Sequence, residues 1–487
     1  MCIMLSKQKM SVDSGEVNGN HCTMTIWRPA WTGDGPMYLG IADAIARDVE
    51  RGVLAPGTRL PTHRELARAL GVTVGTVTRG YEESERRGLT VGEIGRGTFV
   101  RRRDEPEVFG WRGGGRGGRQ IDLSLACPWV PPDGGDGRVL GEALQRLSQD
   151  GDLTELLVYD GETAPVRHRE AGAEWIGRLG LAVPPERVVV TAGAQHALTV
   201  ILSALLRPGD TLLTESLTYP ALKAVAGMLG LRLRGLAMDG EGVIPESLDR
   251  AVQEGGAQAL YCVPVIENPT CRTMTCGRRE EIATLVRRHG LLLIEDAVHT
   301  PMAMDSEPIA RHAPERTLHV TTLSKWATFG LRVGYVAAPA EYVERIRAGV
   351  RSTMWMVPPL MVELTTRWLR DGTAERLGAR KRAELAARQG CVQEILGTRY
   401  RVESDARSLH FWLHLPAPWT SDAFVAESGR RGVQVVGAEA FTVRGQEAPA
   451  AVRVAIAAVP ERADLRRGLE ILREILDGGT DFVAPVL

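Results

Sequence analysis

Lys325 is the residue of this 487-residue chain whose surroundings best suit covalent chemistry. It follows the stretch Leu318-His319-Val320-Thr321-Thr322, and Arg332 stands seven residues after it. A lysine amine condenses with an aldehyde when it is uncharged, which desolvation or a second cation nearby favours. The spacing therefore indicates a reactive lysine close to an arginine that can bind an anion.

A second polar motif, Thr191-Ala192-Gly193-Ala194-Gln195, follows the apolar run Val188-Val189-Val190 and opens a helix. Backbone N–H groups at a helix N-terminus bind phosphate, and the helix dipole assists them. The expected phosphate ligands are the backbone of Gly193, Ala194 and Gln195 and the side chains of Thr322, Ser324 and Arg332. Together with Lys325, this set predicts a site for a phosphorylated ligand beside a reactive amine.

Short apolar runs alternate with helical stretches beyond residue 121. The runs cover residues 188–190, 211–213, 260–263, 291–294 and 318–320. Continuous runs of this length are typical of parallel strands covered on both faces. Ligands bind such open α/β sheets at the carboxyl ends of the strands, where the polar motifs lie. We therefore expect an α/β fold with a large, mostly parallel sheet and a smaller C-terminal α+β unit over roughly 375–475.

This order of motifs is similar to that of the fold type I aminotransferases, which use pyridoxal 5′-phosphate (PLP). The resemblance implies that Lys325 forms a Schiff base with PLP. It also implies that Asp296 keeps the pyridine nitrogen protonated, so that the ring withdraws electrons. The other implied contacts are Tyr219 stacked on the pyridine, Asn268 donating to the ring 3-oxygen, Arg453 clamping a carboxylate bidentately, and Tyr159 reaching the neighbouring subunit's phosphate.

Two positions depart from that family's pattern. His299 stands where an aspartate-x-x-tyrosine pattern places tyrosine near the 3-oxygen, and Cys271 replaces the glycine usual after Asn-Pro-Thr. We expect the imidazole of His299 to donate a hydrogen bond and to change charge near neutral pH. The departures leave PLP binding expected and count against efficient transamination.

The chain before residue 104 has a different pattern. Helical spacing begins at Tyr38, and further helices follow Thr62 and Thr73, which are suitable N-cap residues. Two short strands then surround a Gly95-Arg96-Gly97 tip. Three helices and a hairpin predict a winged helix-turn-helix.

Pro61-Thr62-His63-Arg64-Glu65-Leu66-Ala67, with Val77-Thr78-Arg79-Gly80-Tyr81, resembles the GntR-type winged helix. The resemblance implies that the helix after Thr73 enters the major groove by its N-terminal end. The expected DNA contacts are Arg64, Thr73, Thr76, Thr78 and Arg79, with Arg96 at the wing tip reaching the backbone or minor groove. Val74 stands where the family usually has arginine, so a base contact is missing or replaced by apolar contact with a thymine methyl.

The two resemblances set the expected domain organisation. We predict a disordered tail over 1–35, a DNA-binding domain over 36–103, a Gly/Arg-rich linker over 104–120 and a PLP-binding domain over 121–487. This order resembles the MocR subfamily of GntR-type transcription regulators. That resemblance implies a homodimer, often with domain-swapped DNA-binding units, that binds PLP and controls transcription.

Composition and charge indicate which partners and which cellular compartment to expect. The net charge is −1, yet residues 37–103 hold twelve arginines and no lysine against eight acids, the sign that phosphate contact requires. Seven cysteines are scattered without metal-ligand spacing, so we predict no metal site, and their sparse, odd number suits a reducing cytoplasm. The longest apolar run, 197–206, is about half a membrane span. We expect a cytoplasmic protein without a membrane partner.

Three functions fit these patterns. The first is a PLP-dependent regulator that binds promoter or operator DNA and senses PLP or a small amino compound. The second is a functional aminotransferase carrying an appended DNA-binding domain. The third is a GntR repressor whose large domain serves only for dimerisation. Arg453 favours a carboxylate-bearing effector, but the residues leave the effector, the operator and the direction of regulation open.

Overall fold

The computed structural model describes Trp27 and residues 36–50, 53–55, 57–86, 89–93, 97–100, 120–150, 153–158 and 164–478. The chain divides into two compact units, Met1–Val108 and Phe109–Leu487. The tail predicted over 1–35 and the linker predicted over 104–120 lie outside the described residues, apart from Trp27 and Gln120. Among the residues that the structure describes, every helix is too short or too polar to span a bilayer.

The described part of the N-terminal unit is a helical bundle followed by a hairpin. Its elements are α1 (Met37–Glu50), α2 (His63–Leu70), α3 (Val74–Arg86), β1 (Thr90–Glu93) and β2 (Gly97–Val100). The two strands are antiparallel, and Thr90 lies opposite Val100. Ile41 and Ile45 of α1 pack in one core with Leu66 and Val77. The predicted winged helix-turn-helix is confirmed.

Local sequence fixes the ends of α2. The Thr62 hydroxyl accepts a hydrogen bond from the Glu65 N–H, and the Glu65 carboxylate accepts one from the Thr62 N–H at 2.8 Å. Each side chain thus satisfies an N–H that the helix itself leaves unpaired. Gly71 ends the helix with a φ of 68°, a left-handed conformation that favours glycine. These caps set where the turn between α2 and α3 lies.

The large unit is built on a sheet of seven strands within the described residues. A short strand, β3 (Ile121–Asp122), precedes this sheet in the chain and lies outside it. The strands of the sheet and of an adjoining hairpin, β7 with β8, are β4 (Val188–Thr191), β5 (Thr211–Glu215), β6 (Arg232–Leu236), β7 (Met238–Asp239), β8 (Gly242–Val243), β9 (Ala257–Cys262), β10 (Leu292–Asp296), β11 (Thr317–Thr322) and β12 (Gly334–Ala337). The order in the sheet is β4-β12-β11-β10-β9-β5-β6. Only β12 runs antiparallel to its described neighbours, so the predicted mostly parallel sheet is confirmed.

Helices cover both faces of this sheet. The helices on the sheet are α5 (Val166–Arg178), α6 (Ala194–Leu205), α7 (Pro220–Met228), α8 (Pro245–Gln253), α9 (Cys276–His289) and α10 (Ala340–Met354), and α4 (Gly135–Asp150) precedes them in the chain. Ile294 packs in the core that includes α6 residues, whereas the preceding Leu293 packs in the core that includes Ile282 of α9. Because neighbouring strand residues point to opposite faces and both faces are buried, the central strands contain continuous apolar runs.

A smaller C-terminal unit supplies the predicted α+β part. It comprises α11 (Pro359–Arg370), α12 (Thr373–Val392), β13 (Val402–Ser404), β14 (His410–His414), α13 (Ser421–Arg430), β15 (Val433–Gln434), β16 (Val436–Gly437), β17 (Ala451–Ala455) and α14 (Arg462–Asp477). Its sheet has the order β13-β14-β17-β16. The first strand of the large unit, β3, pairs in parallel with β15, which ties the chain just after Gln120 to this C-terminal part.

Candidate functional site

A pocket opens at the carboxyl ends of β4, β5, β9, β10 and β11. Among the described residues, its lining comprises Ala126, Ala194, Gln195, Tyr219, Tyr261, Val263, Asn268, Asp296, Val298, His299, Thr322, Ser324, Lys325, Phe329 and Arg332. The cavity volume is about 90 Å³. The fold therefore brings most of the predicted cofactor contacts to one cavity.

Lys325 lies three residues beyond β11 and is partly buried. Its Nζ donates a hydrogen bond to the Ala126 carbonyl at 2.6 Å. Burial lowers the pKa of Lys325 to about 8, and the positive charges of Arg453 and Arg332 also act to lower it. An appreciable fraction of the amine is then uncharged near neutral pH, which is the form that attacks a carbonyl carbon.

Asp296 ends β10 and is buried. Its Oδ2 accepts a hydrogen bond from the Tyr261 hydroxyl at 2.6 Å, and its Oδ1 accepts one from the Val298 N–H at 3.2 Å. Burial raises the pKa of Asp296, while these hydrogen bonds and the charge of Lys325 oppose that rise. A carboxylate in such a place is stabilised by a cationic partner, and a protonated pyridine nitrogen is one.

The start of α6 lies at one end of the pocket. No side chain among the described residues caps this helix, so its first N–H groups are available to a ligand. Gly193 precedes the helix with a φ of 82°, and a Cβ placed there would come within 2.9 Å of the Arg332 guanidinium. Arg332 itself has a left-handed φ of 52° and donates to the Ser324 hydroxyl at 3.4 Å. A side chain at Gly193 would therefore displace the Arg332 guanidinium, and the positive φ adds backbone strain.

Arg453 projects from β17 and is buried beside the pocket. Its guanidinium donates to Asn268 Oδ1 at 3.1 Å and to the Ser124 carbonyl, and lies 4.9 Å from the centre of the Phe441 ring. Because Oδ1 of Asn268 is engaged, its Nδ2 is the group left to donate into the pocket. An anion-binding end, a buried carboxylate, a reactive amine and an amide donor together fit PLP.

The predicted DNA contacts lie on α2, α3 and the turn between them. Arg64, Thr73 and Arg79 are exposed, whereas Thr76 and Thr78 are half-buried. The Thr73 and Thr76 hydroxyls are 2.9 Å apart, and the Thr78 hydroxyl donates to the Val74 carbonyl. The exposed N-terminal end of α3 thus presents small polar side chains. Arg96 and Tyr159, also predicted as contacts, lie outside the described residues.

Family models match both units. The gntR family of bacterial regulatory proteins matches residues 37–100, and aminotransferase class I and II matches residues 132–472. The HTH-type transcriptional regulator YdeF of Bacillus subtilis is 30% identical over 93% of this chain and 97% of its own length. The HTH-type pyridoxine biosynthesis transcriptional regulator PdxR of Corynebacterium glutamicum is 26% identical over 73% of this chain and 78% of its own. The chain belongs to the MocR subfamily of GntR-type transcription regulators.

Solved structures agree with the fold of the large unit. An archaeal alanine:glyoxylate aminotransferase superposes with a TM-score of 0.68 at 22% identity, over 74% of this chain and 92% of that one. The α-aminoadipate aminotransferase LysN of Thermus thermophilus gives 0.65 at 23% identity, over 75% and 94%. The predicted fold type I architecture of this MocR protein is confirmed, and it is the fold of enzymes that use PLP.

The structure corrects one expectation about His299 of this MocR protein. Its Nδ1 lies 2.7 Å from the Ile266 carbonyl, which can only accept, so Nδ1 carries the proton. Burial lowers the pKa of His299 to about 3, and the charges of Lys325 and Arg453 act in the same direction. The prediction of a charge change near neutral pH was wrong, because it assumed a solvated imidazole.

Cys271 adopts the backbone conformation that glycine favours. Its φ is 64°, and its buried thiol lies 3.3 Å from the His410 carbonyl and 3.4 Å from the Ser408 hydroxyl. A glycine at this position has no strain to overcome. The MocR chain thus keeps the turn after Asn268 and fills the space with a thiol.

Sequence reasoning missed several groups at the pocket. The carbonyls of Ser124 and Ala126 bind the two cations, and Tyr261 holds Asp296. His196 accepts a hydrogen bond from the Ala192 N–H at 3.0 Å and so holds the turn before α6. Only Tyr261 left a sequence signal, since a tyrosine in a buried strand needs a partner for its hydroxyl. The other contacts depend on tertiary packing.

Proposed function

We propose that this protein is a PLP-dependent transcription regulator, in which the large unit senses PLP or an amino compound and the N-terminal unit binds promoter DNA. The observation that carries the proposal is that Lys325 and the buried carboxylate of Asp296 line one pocket, on a chain that also carries a winged helix. The names of relatives support it: PdxR is called a pyridoxine biosynthesis regulator, and PtsJ of Salmonella typhimurium a vitamin B6 salvage pathway repressor.

The pocket residues divide the work of holding PLP. The phosphate would bind the N–H groups at the start of α6, with Arg332 and the hydroxyls of Thr322 and Ser324. Asp296 would hold the ring nitrogen protonated, Tyr219 would cover the ring, and Asn268 would donate to the 3-oxygen. Lys325 would supply the amine that holds the aldehyde carbon. When bound, PLP supplies an aldehyde that reacts reversibly with amines and a ring that withdraws electrons.

An effector with both an amine and a carboxylate suits the remaining groups. Arg453 would bind the carboxylate, in competition with the Ser124 carbonyl that it now contacts. The Lys325 amine would likewise have to leave the Ala126 carbonyl. Such an effector regulates only if it favours one conformation over another. The segment holding both carbonyls begins directly after Gln120, where the chain arrives from the N-terminal unit.

The N-terminal unit would read DNA with the start of α3. Its candidate contacts are Arg64, Thr73, Thr76, Thr78 and Arg79, together with Arg96, which lies outside the described residues. Exposed arginines beside small hydroxyl side chains suit phosphate contacts that position the helix in the groove.

Borohydride trapping tests the proposal. PLP-loaded protein is reduced and digested, and the labelled peptide is identified by mass spectrometry. We expect the label on Lys325, and we expect Lys325→Ala to lose both the label and the effector response of promoter binding. Lys223→Ala is a matched control, because the Lys223 amine is engaged by the Ala440 carbonyl at 2.9 Å. A label elsewhere, or a Lys325→Ala protein that still responds to the effector, contradicts the proposal.

A working aminotransferase with an appended DNA-binding domain is the second candidate. The combination of Lys325, Asp296 and Arg453 around the pocket favours it, since these groups suit amine exchange on an amino acid. Steady turnover of an amino acid and keto acid pair, without sequence-specific DNA binding, would support this candidate over the first. Regulation with slow residual turnover would support the first.

A homodimer is also part of the proposal. Large apolar side chains are exposed between residues 130 and 166, including Val130 at 63%, Leu157 at 83% and Val158 at 53%. If these side chains form one contiguous patch, that patch is of the kind that binds another protein. Light scattering should give a dimer mass for the full chain and a monomer mass for Leu157→Asp. A monomeric wild type at micromolar concentration contradicts this part.

A further inference from the structure

His299 lines the pocket, and the hydrogen bond at its Nδ1 fixes the protonation of its other ring nitrogen. The residue is 3% exposed and lines the cavity. Its Nδ1 donates to the Ile266 carbonyl at 2.7 Å. A neutral imidazole has a single N–H, so Nε2 carries a lone pair and accepts hydrogen bonds. A tyrosine at this position would present a hydroxyl that can donate.

The backbone holds this arrangement in place. Ile266 has a φ of 48°, a conformation that β-branched residues rarely adopt. The loop is tied by the Ile266 N–H, which donates to the Thr273 hydroxyl at 3.0 Å, and by the Cys271 N–H, which donates to the Glu267 carbonyl at 2.7 Å. The Ile266 carbonyl, which fixes the position of the His299 proton, therefore belongs to a turn held by two hydrogen bonds.

The groups around His299 keep it neutral. Lys325 and Arg453 face it with positive charge, and the ring of His410 lies 6.1 Å from its own. Asp296 and Glu267 are the acids on the adjoining loops, and both are buried. Burial and the two positive charges lower the pKa of His299 to about 3. Nε2 is therefore unprotonated at neutral pH.

The chemistry of PLP leaves one partner for this nitrogen. Under the proposed function, on which this inference rests, the phosphate, the ring nitrogen and the aldehyde carbon are already assigned to other groups. The remaining donor of the cofactor is its 3-hydroxyl. We propose that Nε2 of His299 accepts a hydrogen bond from the 3-hydroxyl of PLP. This contact keeps the proton on the 3-hydroxyl, whereas a tyrosine at residue 299 would stabilise the deprotonated 3-oxygen.

This assignment predicts the pH at which bound PLP loses its proton. A donor at residue 299 stabilises the deprotonated 3-oxygen, and an acceptor stabilises the protonated one. The midpoint of the visible-absorbance titration of PLP-loaded protein should therefore fall by about one to two pH units in His299→Tyr. It should fall by a smaller amount in His299→Phe, which offers neither a donor nor an acceptor.

The titration is run on the full-length protein, with His289→Gln as a control distant from the pocket. His289 pairs with Asp249 at 2.6 Å, and its loss should leave the midpoint unchanged. An unchanged or raised midpoint in both His299 variants overturns the inference. If the wild type takes up no PLP at all, the proposed function fails and this inference fails with it. If all variants load PLP equally and the midpoint is constant, only the assignment of His299 fails.

A second measurement does not depend on the tyrosine variant folding. Binding of PLP is compared with binding of 3-deoxypyridoxal 5′-phosphate, which lacks the hydroxyl. The wild type should prefer PLP by a ratio roughly tenfold larger than that of His299→Phe. Equal ratios in the two proteins mean that His299 does not contact the 3-hydroxyl, and they overturn the proposal.

Discussion

The two units of the molecule place their functional groups in opposite environments. In the N-terminal unit, Arg64, Thr73 and Arg79 are exposed. In the large unit, Asp296 and His299 are each 3% exposed, and burial shifts the pKa of both. A surface that binds DNA phosphates keeps its cationic side chains in water until the DNA binds. A cofactor pocket removes water in advance, so its groups depend on one another and on the ligand.

The units also differ in how the chain encodes them. The candidate groups on α2 and α3 fall within residues 64–79, and local caps such as Thr62 and Gly71 position them. The pocket gathers groups from Ala126 to Arg453 through the strands of two sheets. The contrast implies that single substitutions should have large effects in the pocket and modest ones on the DNA-binding surface.

Asp296→Asn should give the largest effect. The change keeps the shape of the side chain and removes the buried charge that would face the ring nitrogen. Losing one member of a buried ion pair costs about 3 kcal/mol or more, so the Kd for PLP should rise by roughly two orders of magnitude. Equilibrium dialysis with PLP measures it.

Asp305→Asn is the matched control, since the Asp305 side chain is 81% exposed and only pairs with Arg407 on the surface. Its Kd for PLP should equal that of the wild type. Equal affinities in both variants would show that the pocket tolerates the loss of a buried charge, and the contrast between the two units would then lose its main support.

Gly193→Ala should weaken PLP binding roughly 10- to 100-fold, because its Cβ would stand 2.9 Å from the Arg332 guanidinium and displace a charge-assisted contact. Gly209→Ala separates this effect from backbone strain. Gly209 has a similar φ of 90°, but a Cβ added there would meet no described atom within 4 Å. That control should lose about 1–2 kcal/mol of stability and bind PLP normally. A Gly193→Ala protein that binds PLP as tightly as this control would contradict the proposed phosphate contacts around Gly193 and Arg332.

His410→Phe tests the cost of burying a polar group beside the pocket. Neither ring nitrogen of His410 has a hydrogen-bond partner among the described residues, and burial holds its pKa well below the usual 6.5. Below pH 6.5 the unfolded chain binds a proton at this imidazole while the folded protein does not. The free energy of unfolding therefore falls with falling pH, by about 1.4 kcal/mol per pH unit.

The variant should lack this contribution, so its stability should decline less steeply between pH 6.5 and 5 than that of the wild type. Urea unfolding at several pH values measures both slopes. His410→Gln, which does not titrate, should flatten the slope in the same way. Identical slopes in all three proteins would mean that His410 is protonated in the folded state.

Much of the fold could be predicted because both faces of the large sheet are buried. Continuous apolar runs located β4, β5, β9, β10 and β11. The pattern missed β6, an edge strand in which arginines alternate with other residues, and β12, whose four residues follow directly on the lysine loop. An exposed edge strand such as β6 and a strand of four residues such as β12 lack the long apolar run by which a buried strand is recognised in a sequence.

The candidate site was predictable where a side chain carries the function. Lys325, Asp296 and Arg332 stand in motifs, and all line one pocket. The carbonyls of Ser124 and Ala126 could not be predicted, because every residue type supplies a carbonyl. The state of His299 was mispredicted for a related reason. Its proton is fixed by the Ile266 carbonyl, whose direction depends on a left-handed backbone.

Val74→Arg should give the smallest of these effects and tests the exposed side of the comparison. Val74 is the first residue of α3 and is 45% exposed. An arginine there can reach a phosphate or a guanine edge, so operator affinity should rise roughly fivefold or more. The slope of log K against log salt should steepen by about one unit. Fluorescence anisotropy across a salt series measures both.

Val53→Arg adds the same charge to the same unit at a site that is 65% exposed and lies outside α3. If placement at the helix end matters, this control should change affinity much less than Val74→Arg. Equal gains would mean that general charge, rather than the geometry of α3, governs binding. A cation at the start of α3 also opposes the helix dipole, by about 0.3–1 kcal/mol. If the start of α3 lies in the major groove, Val74→Arg should therefore raise the affinity for the operator and slightly lower the free energy of unfolding.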